Sequence, residues 1–224
     1  MTSIVYWANL SQFSNESMKP KPLLKDLSEL QSEHKGNNWL ACPAITTRHK
    51  NTFMTTIPYN CFIDFKEGRI LDNNISQRPG LYKNSYAFDW NFKRIFFSDK
   101  PQIMEVSPAF LHKLSYSQFG HAPSGAFDIG QWFRPSSPTF QLWSGETEFK
   151  ADQGEAHLYF NFPNNDKVIL QQFNMSEKLI DIMYFCVNYK SYVPKQSLHS
   201  IYQVFLQNKL KNKILIEIKQ NLIL

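Results

Sequence analysis

His121, Asp128 and His157 are the residues of this chain best suited to hold a metal ion. Two imidazoles and one carboxylate on a β scaffold form the facial set that leaves open positions on non-haem iron or another divalent metal. A cupin-like or oxygenase-type enzyme would follow. The spacing departs from that chemistry, because a jelly-roll iron site draws its first two ligands from one strand as His-x-His or His-x-Asp/Glu. The chain contains neither pair. The metal-dependent enzyme is therefore the alternative reading, and the principal reading has no cofactor.

The second constellation is aromatic. Trp132, Arg134, Trp143 and Tyr159, with Phe133 and Phe140 beside them, have the composition of a protein hot spot or a sugar-stacking surface. The competing reading is that these rings fill a β core. Nucleophilic catalysis finds less support. Ser124-Gly125 and Ser144-Gly145 read as turns, and no Gly-x-Ser-x-Gly elbow is present. Glu146, Glu148, Asp152 and Glu155 read as a solvated face bordered by turns. Gly120, Gly125 and Gly130 are five apart and open no helix, so neither a phosphate loop nor a dinucleotide fingerprint is formed. No catalytic residue is nominated.

The three cysteines, Cys42, Cys61 and Cys186, form no CxxC pair, which argues for a reducing compartment and against a disulfide framework or structural zinc. The apolar stretch around Cys42 predicts a buried, inert thiol, and Cys61 and Cys186 read as core. Of 224 residues, 42% are hydrophobic and 15% aromatic, enough for a substantial core. The net charge of +5 belongs entirely to residues 190–224, where six lysines face Glu217 alone. A basic tail without arginine is a poor nucleic-acid footprint, so a solvated helix face is expected there. The N-terminus lacks a signal peptide's basic and apolar regions, and no stretch is apolar for long enough to span a bilayer. A soluble, cytoplasmic protein is expected.

These residues need elements to position them. Gly125 to Phe173 reads as short strands divided by Ser144-Gly145, Asp152-Gln153-Gly154 and Pro163 to Asp166, which suggests a meander in an antiparallel sheet or barrel. Within it, His157, Tyr159 and Asn161 alternate with Leu158, Phe160 and Phe162 on opposite faces, and His157 is expected at a solvent-facing position. Further strands are expected at Ile4 to Trp7, Thr52 to Phe65 (interrupted at Pro58, an edge or bulge position), Tyr86 to Trp90, Arg94 to Phe97 and Gln102 to Val106. Lys66-Glu67-Gly68 signals a hairpin into Arg69-Ile70-Leu71. Leu23, Leu24, Leu27 and Leu30 recur at helical spacing up to Gly36, predicting a helix that lids the sheet.

After Phe173 the period turns helical. Leu198 to Phe205 and Leu210 to Ile218 place their apolar residues on nearly opposite sides at 100° per residue, so one straight helix cannot bury both. Either the helix breaks near Asn208, or its end reaches a second chain. The second option is preferred, because residues 207–213 contain neither Gly nor Pro.

Trp39-x2-Cys42-Pro43, the run through Phe53 to Pro58, and Asp128-Ile129-Gly130-Gln131-Trp132-Phe133-Arg134-Pro135 resemble a group of uncharacterised proteins from tailed marine phages. The resemblance implies a viral protein in the host cell cytoplasm, free or virion-associated, and carries over no activity or site residues. The expectation is an α+β chain: a β-rich antiparallel sandwich or barrel-like domain over 1–173 and a C-terminal helical extension over 174–224. Its expected function is non-enzymatic binding of protein through the aromatic surface and the basic tail, with a homo-oligomer formed through 207–224, and with neither nucleic acid nor membrane as partner.

Overall fold

A computed structural model of the chain describes residues 2–10, 18–34, 39–66, 75–136 and 139–223. The hairpin signal continuing into Arg69-Ile70-Leu71 and the helix stop at Gly36 lie outside the described residues. The fold is α+β, and its sheets are mostly antiparallel.

One sheet divides the molecule. Its order is β11 (Pro135–Ser136), β7 (Arg94–Ser98), β1 (Thr2–Asn9) and β15 (Lys167–Gln172). Because strand side chains alternate between faces, Val5, Trp7 and Phe96 enter the large aromatic core on one side. Tyr6, Ala8, Ile95 and Phe97 enter a second core on the other. Both faces are covered, which explains why Val5 to Ala8 and all of β7 are buried.

A five-stranded sheet runs β10 (Gly125–Asp128), β8 (Ile103–Pro108), β14 (Ala156–Asn161), β3 (Thr52–Thr56) and β2 (Lys21–Pro22). A four-stranded sheet runs β5 (Ile75–Pro79), β6 (Tyr86–Trp90), β12 (Thr139–Leu142) and β9 (Gly120–His121). A ribbon pairs β13 (Glu148–Ala151) with β4 (Cys61–Asp64). Between them lies a core of rings: Phe88, Trp90, Phe140 and Phe149 meet with centroids 4.7 to 5.6 Å apart, mostly edge to face.

The strand positions expected after Thr139 are present, but their pairing is not a meander. β12, β13 and β14 go to three different groups of strands, and β15 pairs in parallel with β1, Thr2 opposite Lys167 and Trp7 opposite Gln172. Strand propensity is local, whereas the partner is chosen by which faces must be covered. Pro58 stands just beyond the end of β3, where a missing N–H costs no ladder bond.

Helix α1 (Leu23–His34) lids the five-stranded sheet, with Leu23 and Leu27 against Met54 and Tyr159. The short helix α2 (Pro43–His49) begins after Cys42, which is exposed. The expected burial of that thiol is therefore corrected, because residues 41–44 lie exposed where this helix begins. Cys61 and Cys186 are buried.

Helices α3 (Glu177–Tyr192), α4 (Leu198–Gln207) and α5 (Leu210–Gln220) cover the outer face of the dividing sheet. Ser176 and Ser197 cap α3 and α4, accepting from Leu179 N and Ser200 N. The chain breaks between α4 and α5 at Lys209, in the left-handed region at φ 53°. Ile214 and Ile218 are thereby buried in the same cluster as Phe205. The preference for a second chain over this stripe is corrected: a single left-handed residue, without Gly or Pro, folds it back. No described helix is long and apolar enough to cross a membrane.

Candidate functional site

Three adjoining cavities open around β8, β10 and β14. The largest, about 400 Å³, is partly polar and is bordered by Arg48, His49, Thr52, Glu105, Phe110 and Asn161. A second, about 290 Å³, is bordered by Phe110, Tyr116, His121, Phe140 and His157. A third, about 200 Å³, shares Ser124 and Gly125 with the first and Ala122 with the second. Phe110 stands between the two larger lobes, 60% exposed.

His157 is the unusual residue. It lies where the register of β14 against β3 shifts between Ala156 and Leu158. Such a bulge re-aims one side chain, and bulges gather beside functional sites. Strict alternation would group His157 with Tyr159 and Asn161, on the face away from Leu158 and Phe160. Instead its ring sits edge-on to Trp90 and Phe92, at 5.5 and 5.1 Å, in the aromatic core. It is 2% exposed, and neither ring nitrogen has a hydrogen-bond partner. Burial, reinforced by the Arg94 guanidinium, pushes its pKa down to about 3. The imidazole is neutral, offering one N–H and one lone pair.

His121 reaches the same lobe from β9. Gly120 allows this, since a Cβ there would fall 2.0 Å from the Gln141 carbonyl oxygen and force β9 off β12. The His121 ring stacks on Trp143 at 4.7 Å and 26°, and its Nδ1 is buried without a partner. Tyr116 donates to the carbonyl of Ala156, 2.7 Å away, and fixes the strand just before the bulge.

Asp128 does not join the two histidines. Its Oδ1 accepts from the backbone N–H groups of Gln102 and Gly130, and its Oδ2 accepts from Gln131, so the carboxylate is consumed in holding its own turn. Among the described residues no three His, Cys, Asp or Glu side chains are placed to hold a metal ion. The metal set His121, Asp128 and His157 is thus corrected to a histidine pair lining one cavity.

The aromatic set is also dispersed. Trp132 packs on Tyr189, Tyr202 and Phe205 and seats the helical layer, with centroids 5.6 to 6.4 Å apart. The Arg134 guanidinium lies 5.6 Å above the Phe127 ring, a cation–π contact. Trp143 backs His121. Tyr159 is 1% exposed, and its hydroxyl bonds His112 Nδ1 while accepting from Leu111 N. His112 Nε2 in turn meets Asp26 of α1 at 2.8 Å. That chain ties the lid helix to the sheet, and burial holds the Tyr159 phenol well above its ordinary pKa.

Arg48, His49 and Thr52 come from α2 and the start of β3, whereas Glu105 and His112 are brought to them from more than fifty residues away. Only the adjacency of Arg48 and His49 at the end of α2 signals them, together with Asn161 on the face alternating with Phe160.

Fold and site together define a β-rich α+β protein with a partly polar groove over strands β8, β10 and β14 and a helical layer on the dividing sheet. No protein-family model, curated protein or solved structure matches the chain.

Proposed function

We propose that this is a binding protein whose groove takes a small neutral ligand. The observation that carries the reading is His157. Each buried polar group left without a partner costs roughly 1–3 kcal/mol, and this ring keeps two such nitrogens beside a cavity large enough for a ligand. Phe would suit the same aromatic neighbours, so an imidazole at this position gives up stability for a polar group that a ligand can meet. The test is a thermal-shift screen of neutral metabolites against the full chain. Ligands are expected that raise the melting temperature of the wild type and lose that effect in both Phe110→Ala and His157→Phe. Ligands that act equally on all three proteins would overturn the reading.

A second reading rests on the helical layer. Tyr184, Phe185, Val187 and Tyr192 of α3 are exposed by 57, 41, 47 and 76%. Exposed aromatics of this kind mark protein contacts, and the expected partner is a second copy of the chain. Sedimentation at rising concentration should show self-association that Tyr184→Asp and Phe185→Asp together abolish. A monomer at all concentrations rules it out.

A further inference from the structure

Resting on the reading of the groove as a binding site, we propose that its polar lobe recognises a saccharide, held with one ring face on Phe110 and its hydroxyls on His49 and Glu105. The hydrogen bonds of this lobe have only one consistent direction. Glu105 Oε2 accepts from Arg48 Nη2 at 3.0 Å and from the Asn161 amide nitrogen at 2.7 Å. With that nitrogen committed, Asn161 Oδ1 is the acceptor for the Thr52 hydroxyl, 3.0 Å away. Thr52, having donated its only proton, can only accept from His49 Nδ1, at 3.2 Å. His49 is therefore the Nδ1–H tautomer, and its Nε2 carries a lone pair. Burial and then the neighbouring Arg48 hold its pKa below the ordinary imidazole value, so the lone pair stays open near neutral pH.

The network thus settles its own needs and leaves both acceptors and further Arg48 N–H donors facing the cavity. Glu105 Oε1 takes no part in it, His49 Nε2 is an acceptor, and the Ser107 and Ser124 hydroxyls border the same cavity and can do either. A ligand that fits must both donate, to Glu105 Oε1 and His49 Nε2, and accept from Arg48, as a hydroxyl does. Phosphate and carboxylate are disfavoured, because Glu105 repels an anion and already neutralises Arg48. A nucleobase is disfavoured, because the amide edge of Asn161 that would read it is spent internally. A pyranose offers several O–H donors at its rim and a patch of C–H on its face. Phe110 supplies the matching platform. Its ring is 60% exposed, yet it is held from behind by Tyr159 at 5.3 Å and from the side by His49 at 6.0 Å. The negative face of the ring attracts the polarised C–H groups, and little side-chain freedom remains to be lost on binding.

The experiment is saturation-transfer NMR on the full chain with glucose, galactose, mannose, N-acetylglucosamine and the disaccharides lactose, cellobiose and chitobiose. At least one is expected to receive saturation, strongest on ring C–H protons. Phe110→Ala and His49→Ala should each weaken its binding about tenfold or more, equivalent to about 1.4 kcal/mol. Both side chains are partly exposed, so the variants should keep the wild-type circular dichroism. No transfer to any saccharide, or transfer unchanged in both variants, overturns the proposal. If the metabolite screen nevertheless yields ligands lost in Phe110→Ala, the groove stands and only the saccharide assignment fails. If neither experiment finds a ligand, both readings fall together.

Discussion

Between about pH 6.5 and 3 the folded protein should lose stability by about 1.4 kcal/mol per pH unit through His157 alone. The folded-state pKa is depressed to about 3, whereas the unfolded chain titrates near 6.5. In that window the unfolded state binds one more proton than the native state, so acid draws the equilibrium toward unfolding. The contribution is complete above the unfolded pKa and is lost as the pH falls to the folded one, several kcal/mol in all. Arg94, His121 and the rings of Trp90 and Phe92 supply no carboxylate to accommodate the imidazolium. His157→Phe should remove this slope. At neutral pH it should also raise stability by about 1 kcal/mol, since two unpartnered nitrogens are deleted at a modest cost in fit. Urea denaturation of both proteins from neutral to acid pH measures the difference. Parallel curves, or a His157→Phe variant less stable at every pH, would mean that the imidazole is satisfied in the native state.

Truncation after Gln207 should cost several kcal/mol, with Ile218→Ala alone costing about 3 kcal/mol. Ile214 and Ile218 are fully buried against the core that holds Phe97, Phe133 and Phe205. The chain beyond them is pinned as well: Leu222 bridges Phe173, Ile223 N donates to Gln172 O at 2.9 Å, and Asn174 N donates to Asn221 O at 2.9 Å. Removing α5 would uncover the part of the second core that Ile214 and Ile218 fill. Denaturant midpoints of the full and truncated chains check this. Unchanged stability with a lower solution mass would show instead that these residues are covered by another chain.

Short-range chemistry was sufficient for much of this architecture. Alternation and turn residues place strands at Thr139 to Trp143, Glu146 to Lys150 and His157 to Phe162, within two residues of the observed ones, and the 3.6 period places helices after Asn174 or Ser176 and after Gln196 or Ser197. The opposed apolar stripes on either side of Asn208 require either a break or a partner, and both options follow from helical geometry alone. The choice between them depends on Lys209 entering the left-handed region, a modest cost that burial of Ile214 and Ile218 outweighs. Nothing in the local sequence records that balance.

Pairing was equally out of reach of local rules. Lys167 to Gln172 has the same strand propensity whether it continues a meander or crosses to β1, and it crosses because β1 must be covered along both its edges and both its faces. The site followed the same logic. His121 and His157 are visible as imidazoles, but the bulge that turns His157 into the aromatic core arises from a register mismatch with β3, a hundred residues earlier in the chain. Asp128 carries the right chemistry for a ligand and is spent on its own turn, because the nearest backbone N–H groups claim its carboxylate first. The amino-acid sequence by itself determined the elements, the α+β class and the inventory of reactive groups. Tertiary structure alone decided which of those groups share a cavity, because burial, bulges and the direction of hydrogen bonds are set between segments distant in sequence.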